Sequence, residues 1–264
     1  MANEVIISGR ALHSGLMSHV RLHPAEGGVR FFLEGKTVIA RLDHVTDTHR
    51  CTVLGAEGVK VALVEHLLAA LHIRGWWRGL VIELSAAELP ILDGSAQEWL
   101  AALDLLGSPP PPPPPLQVAR PWRRAYGSSR VSVTPGARRL CCHIAFDHPA
   151  IGEQRWCGGP EGFTALAGAR TFGFLSELES LRARGLAGAA GLSNVAVFAE
   201  EAPLAPLRFA DEPVRHKALD ALGDFFLLGR PLQAALRISR GSHRVHSQTM
   251  RDMIACGLVN GAHL

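Results

Sequence analysis

Seven consecutive prolines, Pro109 to Pro115, interrupt this 264-residue chain. Proline has no amide proton and its ring fixes φ, so the run can neither continue a helix nor enter a sheet interior; it is expected to be extended polyproline. It divides the chain into a unit over 1–108, a linker over 109–116 and a unit over 117–264. A proline-rich ligand for a partner's aromatic groove is the rival reading, but the run lacks the flanking repeats that accompany such ligands.

Either side is rich enough in apolar residues to build a core: 47% of the chain is hydrophobic. Five cysteines, at 51, 141, 142, 157 and 256, are odd in number, widely spaced and without Cys-x-x-Cys. That pattern argues against a disulfide framework or a zinc ribbon and fits a reducing cytoplasm. The start, "MANEVIISGRALHSG", lacks the basic residues and long apolar run of a secretory signal, and no segment reaches the roughly 18 apolar residues of a membrane span. The net charge is +3 with scattered arginines and a single tyrosine. No basic stripe with interleaved aromatics points to nucleic acid, though the charge suits an anionic small molecule.

Hydrophobic periodicity predicts strands at 29–33, 37–41, 59–62, 80–84, 129–135, 139–149 and 232–239. Helices are expected at 63–75, 95–107, 175–185, 211–229 and 242–257, with a short helical piece at 164–173. This is an α+β pattern without the regular alternation of a doubly wound parallel sheet. "VEHLLAAL" at 64–71 and "VRHKALDAL" at 214–222 each carry a histidine after Val-x, and each helix leads through glycine to a strand and then to a Gly-Ser helix. Two similar α+β units, each a sheet packed on helices with a site between them, would follow from a duplication.

The helix over 211–229 carries the sharpest chemical signal. Asp211 is a plausible N-cap, Pro213 suits the first turn, and Gly229-Arg230-Pro231 ends it. At about 100° per residue, His216, Lys217, Asp220 and Asp224 fall within an arc of about 100°. Val214, Ala218, Leu219, Ala221, Leu222, Phe225 and Phe226 lie opposite. The stripe reads either as the wet side of an amphipathic helix or as part of a metal site, because a histidine nitrogen and a carboxylate one turn apart can meet one divalent ion. A third ligand is then needed; His66 is the best candidate, since Glu65 beside it could take a proton from water. His72 points about 120° away from His66 on the same helix and is not expected to share an ion.

"VEHLLAAL", "ELPILDGSAQEW", "ARTFGF" and "RFADEPVRHKALDALGD", in this order, with "GRALHSG" and "IAFDHPAIGEQ", resemble the bacterial UDP-3-O-acyl-N-acetylglucosamine deacetylases, zinc enzymes of lipid A biosynthesis. The resemblance covers nearly the whole chain. It implies Zn²⁺ held by His66, His216 and Asp220, with Glu65 as general base and Thr171 as donor to the oxyanion. It further implies His243 as the protonated histidine that serves the departing amine, oriented by Asp224, with Lys217 contacting substrate and Phe172 and Phe174 lining the sugar and acyl-chain path. The implied partner is a nucleotide sugar bearing an acyl chain, and the protein would act as a monomer in the cytoplasm of a Gram-negative bacterium.

The sequence departs from the family pattern near its end. Gly241-Ser242-His243 replaces Ser-Gly-His, and His246 stands at a usual asparagine, so the acid role stays open between His243 and His246. Arg240 stands where a substrate-binding lysine is common, exchanging a point donor for a planar fork. Gly191-Leu192-Ser193-Asn194 alters a segment expected to meet the acyl chain. A related zinc amidohydrolase acting on another N-acyl amino sugar, and a metal-stabilised binding protein without catalysis, are the alternatives. Glu65 and Thr171 weigh against the second, because a structural zinc site is usually closed by four ligands and needs no adjacent base.

Overall fold

The computed structural model describes residues 4–259. In chain order it contains β1 (Val5–Arg10), β2 (Met17–Gly28), β3 (Arg30–Leu33), β4 (Lys36–Ile39), β5 (Val45–Asp47), β6 (Val53–Ala56), β7 (Val59–Ala62), α1 (Glu65–Arg74), β8 (Arg78–Leu84) and α2 (Gln97–Leu106). After the prolines come β9 (Leu116–Gln117), β10 (Trp122–Tyr126), β11 (Ser129–Pro135), β12 (Arg139–Ala145), β13 (Glu153–Gly158), β14 (Phe172–Phe174), α3 (Leu175–Ala183), β15 (Ala196–Phe198), α4 (Glu212–Phe226), β16 (Leu232–Ser239) and α5 (His243–Ala255).

The two halves repeat one topology. The first sheet has the order β1-β2-β8-β3-β4 and the second β10-β11-β16-β12-β13. In both, a hairpin pairs antiparallel with the strand that follows a long helix, β8 or β16, and that strand pairs parallel with the first strand of a second hairpin. The helices α1 and α4 precede the corresponding strands, and α2 and α5 follow them. The weak echo between residues 64–71 and 214–222 therefore lies at equivalent places in two similar α+β units.

The helices form the layer between the sheets: α1 packs on α4, α2 on α1 and β1, and α4 on β12 and β13. Leu67, Leu68 and Leu71 of α1 meet the same core as Val214, Ala218 and Leu219 of α4. Each fully buried leucine contributes about 1.5–3 kcal/mol, which is what holds two helices carrying polar residues in contact. Gly223 sets how closely they approach, because a Cβ there would overlap the carbonyl oxygen of Glu65. Among the described residues no helix is long and apolar enough to cross a membrane.

The proline run connects α2 to β9, whose Leu116 donates to the Pro231 carbonyl beside β16 at 2.7 Å. Two expectations are corrected. The segment 164–173 is helical only at its start: a 3₁₀ stretch over Pro160–Leu166 ends within it and gives way to extended chain, because Thr171 donates its backbone N–H to the Gly94 carbonyl and β14 pairs with β15. The cysteines are not all free either, since Cys141 and Cys157 form a disulfide. They are directly opposed in the β12–β13 hairpin, a register that spacing alone does not reveal.

Candidate functional site

The polar stripe of α4 does not face water. His216, Asp220 and Asp224 are each about 2% exposed because the first turn of α1 lies across them. Glu65 and His66 open that turn and are buried as deeply. The N-terminus of α5 closes the same space with His243 and His246; Ser242 caps the helix, its hydroxyl accepting from the Val245 N–H. Asp211 occupies the N-cap position of α4, but its carboxylate accepts from the Arg215 guanidinium and caps nothing.

Three of these groups form a nest suited to a cation. The ligand atoms of His66, His216 and Asp220 all lie within 4.8 Å of one another. Asp220 Oδ1 is 3.3 Å from His216 Nε2 and 3.9 Å from His66 Nε2, and it is a buried oxygen without a hydrogen-bond partner. An orphaned buried carboxylate oxygen is costly unless something positive meets it. Both rings are neutral: burial, then the neighbouring His216, lowers His66 to about 3, and burial lowers His216 also. The Nδ1–H of His216 donates to the Ala169 carbonyl at 3.2 Å, which leaves Nε2 with its lone pair toward the nest. Burial would raise the pKa of Asp220, but the positive groups facing it, Lys217 and His243 among them, hold it well below the ordinary carboxylate value and keep it ionised. Two neutral imidazoles and one carboxylate fit a divalent ion.

A second group, Asp224, His243 and His246, is also close enough to ligate. It is already satisfied internally, with both histidines donating from Nδ1 to Asp224 Oδ2, at 2.8 Å and 2.7 Å. The first group is the one that needs an ion.

Beside the nest stands an acid–base pair. Burial raises Glu65 to about 7, although His243 opposes the shift. Burial works to lower His243, but Asp224 and then Glu65 raise it to about 9. Glu65 Oε1 is 3.8 Å from His243 Nε2, and that nitrogen is 4.0 Å from Asp220 Oδ2. Thr52, which no sequence motif singles out, holds both carboxylates: its N–H donates to Glu65 Oε2 at 3.0 Å and its hydroxyl to Asp224 Oδ1 at 2.6 Å. Nothing in the local sequence distinguishes this threonine, since its partners are 13 and 172 residues away.

The remaining candidates divide. Lys217 donates to Asp220 Oδ2 at 2.8 Å and lies 5.7 Å from the centroid of Phe172. Phe172 also meets the His216 ring edge-on. Thr171, Phe172 and Phe174 line an apolar cavity of 270 Å³ with Leu178, Ala190 and Leu192. Behind them Glu212 accepts from the backbone and side chain of Arg170, fixing the chain just before Thr171. Arg240 is exposed at the turn after β16, its backbone in the left-handed region and its N–H donating to the His143 carbonyl. It is not among the groups gathered at the nest. His72 likewise stands apart, paired with the Leu222 carbonyl and held low, near 4, by burial.

A cation nest beside a buried carboxylate and a charged imidazole, with Phe172 joining it to an apolar cavity, is the equipment of a metal-dependent amidohydrolase. Comparison with known proteins narrows that class. Residues 1–255 match the family model of UDP-3-O-acyl N-acetylglycosamine deacetylase. The UDP-3-O-acyl-N-acetylglucosamine deacetylase of Thermosynechococcus vestitus is 42% identical over 92% of this chain and 89% of its own. Those of Syntrophotalea carbinolica and Thermodesulfovibrio yellowstonii are 38% and 33% identical, over 94% and 97% of this chain and 85% and 91% of theirs. The chain belongs to the UDP-3-O-acyl N-acetylglycosamine deacetylase family.

Proposed function

We infer that this protein removes the N-acetyl group of UDP-3-O-acyl-N-acetylglucosamine, giving acetate and the free amine, as a zinc-dependent step of lipid A biosynthesis. The observation that carries this is the bare Asp220 Oδ1 between two neutral histidines, with a carboxylate of pKa about 7 alongside. His66, His216 and Asp220 are the residues that would hold the ion. An ion held there would supply Lewis acidity toward the acetamide carbonyl and the attacking water.

The chain's own groups do the rest. Glu65, fixed by the Thr52 N–H at one oxygen, takes the water proton at the other; a pKa near neutrality suits a base that must later release it. Thr171 donates its hydroxyl to the developing oxyanion, a donor pre-set by the Gly94 and Ala196 backbone bonds on either side of it. His243, kept cationic by Asp224, gives its Nε2 proton to the departing amine. Both histidines bond Asp224 through Nδ1, but His243 Nε2 lies 3.8 Å from Glu65 Oε1 and 4.0 Å from Asp220 Oδ2 whereas His246 Nε2 is directed at Gly241, which supports His243 for the acid role.

Lys217 contributes positive charge next to Phe172, and the cavity lined by Phe172, Phe174 and Leu178 receives the acyl chain. Arg240 stands as a substrate contact only through its place in the sequence, where the family has a lysine; it is exposed at the turn after β16. The same reading has residues 1–108 and 117–264 as two domains joined through 109–116. Both halves of the nest come from one chain, which suits a monomer, working in the bacterial cytoplasm. Purified zinc-loaded protein should release acetate from UDP-3-O-acyl-N-acetylglucosamine; no acetate at micromolar enzyme would overturn the assignment.

A further inference from the structure

The outer face of the second sheet, turned away from α4, carries an arrangement that deacetylation does not use. Register places Cys157, Cys141, Arg237, Ser132 and Arg123 in one row across β13, β12, β16, β11 and β10. Two residues along each strand a second row follows, of Arg155, His143, Ser239 and Arg130. Residues two apart on a strand share a face, and neighbouring strands lie about 4.8 Å apart, so these side chains form one surface. They line a single open groove of 630 Å³. Cys157 is exposed and Cys141 half-buried, with Arg237 across from Cys141 and Arg155 two residues from Cys157. Glu153 stands at the edge, 3.9 Å from Arg155 and 3.4 Å from His143, outside the groove lining.

A disulfide at the floor of a groove bearing Arg123, Arg130, Arg155 and Arg237 is accessible to a thiol and set in a field that attracts anions. The other cysteines lack one or both properties. Cys51 and Cys142 are buried, and burial pushes the Cys142 thiol up to about 12; Cys256 is exposed but lies outside this groove.

We propose that Cys141 and Cys157 form a thiol–disulfide exchange site for an anionic low-molecular-weight thiol, with the groove arginines recognising its carboxylates. The incoming thiolate attacks Cys157 Sγ. A mixed disulfide forms there as the Cys141–Cys157 bond breaks, and the electron pair passes to Cys141 Sγ as a thiolate opposite Arg237. A second thiolate then attacks the sulfur of the bound small thiol, releasing Cys157 as thiolate. Two small thiols are oxidised to their disulfide and the protein disulfide is reduced, the protons lost by the former balancing those gained by the two cysteines. The small disulfide, acting in reverse, closes the pair again. Opposite charge raises encounter rates in this way only while salt does not screen it.

The test uses the full-length, metal-loaded chain carrying Cys256→Ser. The opening rate of the disulfide is followed by mass after alkylation, with glutathione (anionic), 2-mercaptoethanol (neutral) and cysteamine (cationic). Each rate is divided by that of the same thiol on a small neutral disulfide. Glutathione is expected to exceed cysteamine by about tenfold at low salt and to fall toward parity at high salt. Arg130→Ser with Arg237→Ser should flatten the preference, and Cys141→Ser treated with oxidised glutathione should hold the adduct on Cys157, whose thiolate takes one glutathione sulfur and releases the other as reduced glutathione. Equal normalised rates for the three thiols, or a pair that stays reduced in oxidised glutathione, would overturn the proposal. The salt dependence of the chain with its arginines intact separates the two outcomes even if the arginine variants misfold.

Discussion

Asp224 accepts a 2.8 Å hydrogen bond from His243 Nδ1 while its other oxygen takes the Thr52 hydroxyl, so one buried carboxylate both orients the imidazole and keeps it charged. Burial alone would have made that ring neutral. Its pKa of about 9 instead lies above the ordinary value of 6.5. A group raised on folding contributes stability that is complete below 6.5 and lost as pH climbs through about 9.

Turnover should therefore decline on the alkaline side as His243 loses its proton. In Asp224→Asn the alkaline limb of the pH–rate profile should move at least one unit lower, with kcat reduced on the order of a hundredfold. A limb that shifts in His246→Ala but not in His243→Ala would transfer the acid role to His246.

Metal binding and proton transfer should separate by mutation. Asp220→Ala is expected to lose the ion, measured by elemental analysis after dialysis, whereas Glu65→Gln should retain it and lose most turnover. Free zinc at a hundredfold over its dissociation constant should stabilise the unmodified protein by about 2.7 kcal/mol in denaturant melts.

Thr52→Val keeps the backbone bond to Glu65 and removes the hydroxyl bond to Asp224. A hydrogen bond to a charged group is worth about 1.5–3 kcal/mol. The expected loss of stability is of that order, with kcat falling and KM nearly unchanged, as steady-state kinetics and urea titration would show.

Gly223→Ala would push a methyl group into the Glu65 carbonyl. Overpacking of this kind costs about 1–3 kcal/mol. Because the helices must separate, kcat should fall even where zinc content is preserved, which a metal assay beside the rate measurement would reveal.

Filling the apolar cavity should act on chain length alone. Ala190→Phe, at a position lining that 270 Å³ space, should raise KM steeply for long-acyl substrates and little for short ones. An equal rise for both would place the acyl chain elsewhere.

Much of this was legible in the residues. The strands at 59–62, 129–135 and 232–239 and the helices at 63–75 and 242–257 come within a few residues of β7, β11, β16, α1 and α5, since long periodic stretches with glycine or capping signals carry their own instructions. The later part of 164–173 misled because its helical spacing yields to tertiary hydrogen bonds that Thr171 and Arg170 donate to Gly94 and Glu212, residues remote in sequence.

By itself, the sequence determined an α+β pattern broken by a proline run, and a helix with His216, Asp220 and Asp224 on one stripe; that the two sides repeat one topology came from strand order. The sequence could not determine whether that stripe met water. Only the tertiary structure did so, by laying the first turn of α1 across α4 through Gly223; this desolvates His66, Glu65 and the stripe together and leaves Asp220 Oδ1 without a partner. The same holds for Thr52 and for the Cys141–Cys157 pair. Their neighbours are fixed by strand register and helix crossing, quantities that depend on contacts between distant segments and not on any local pattern.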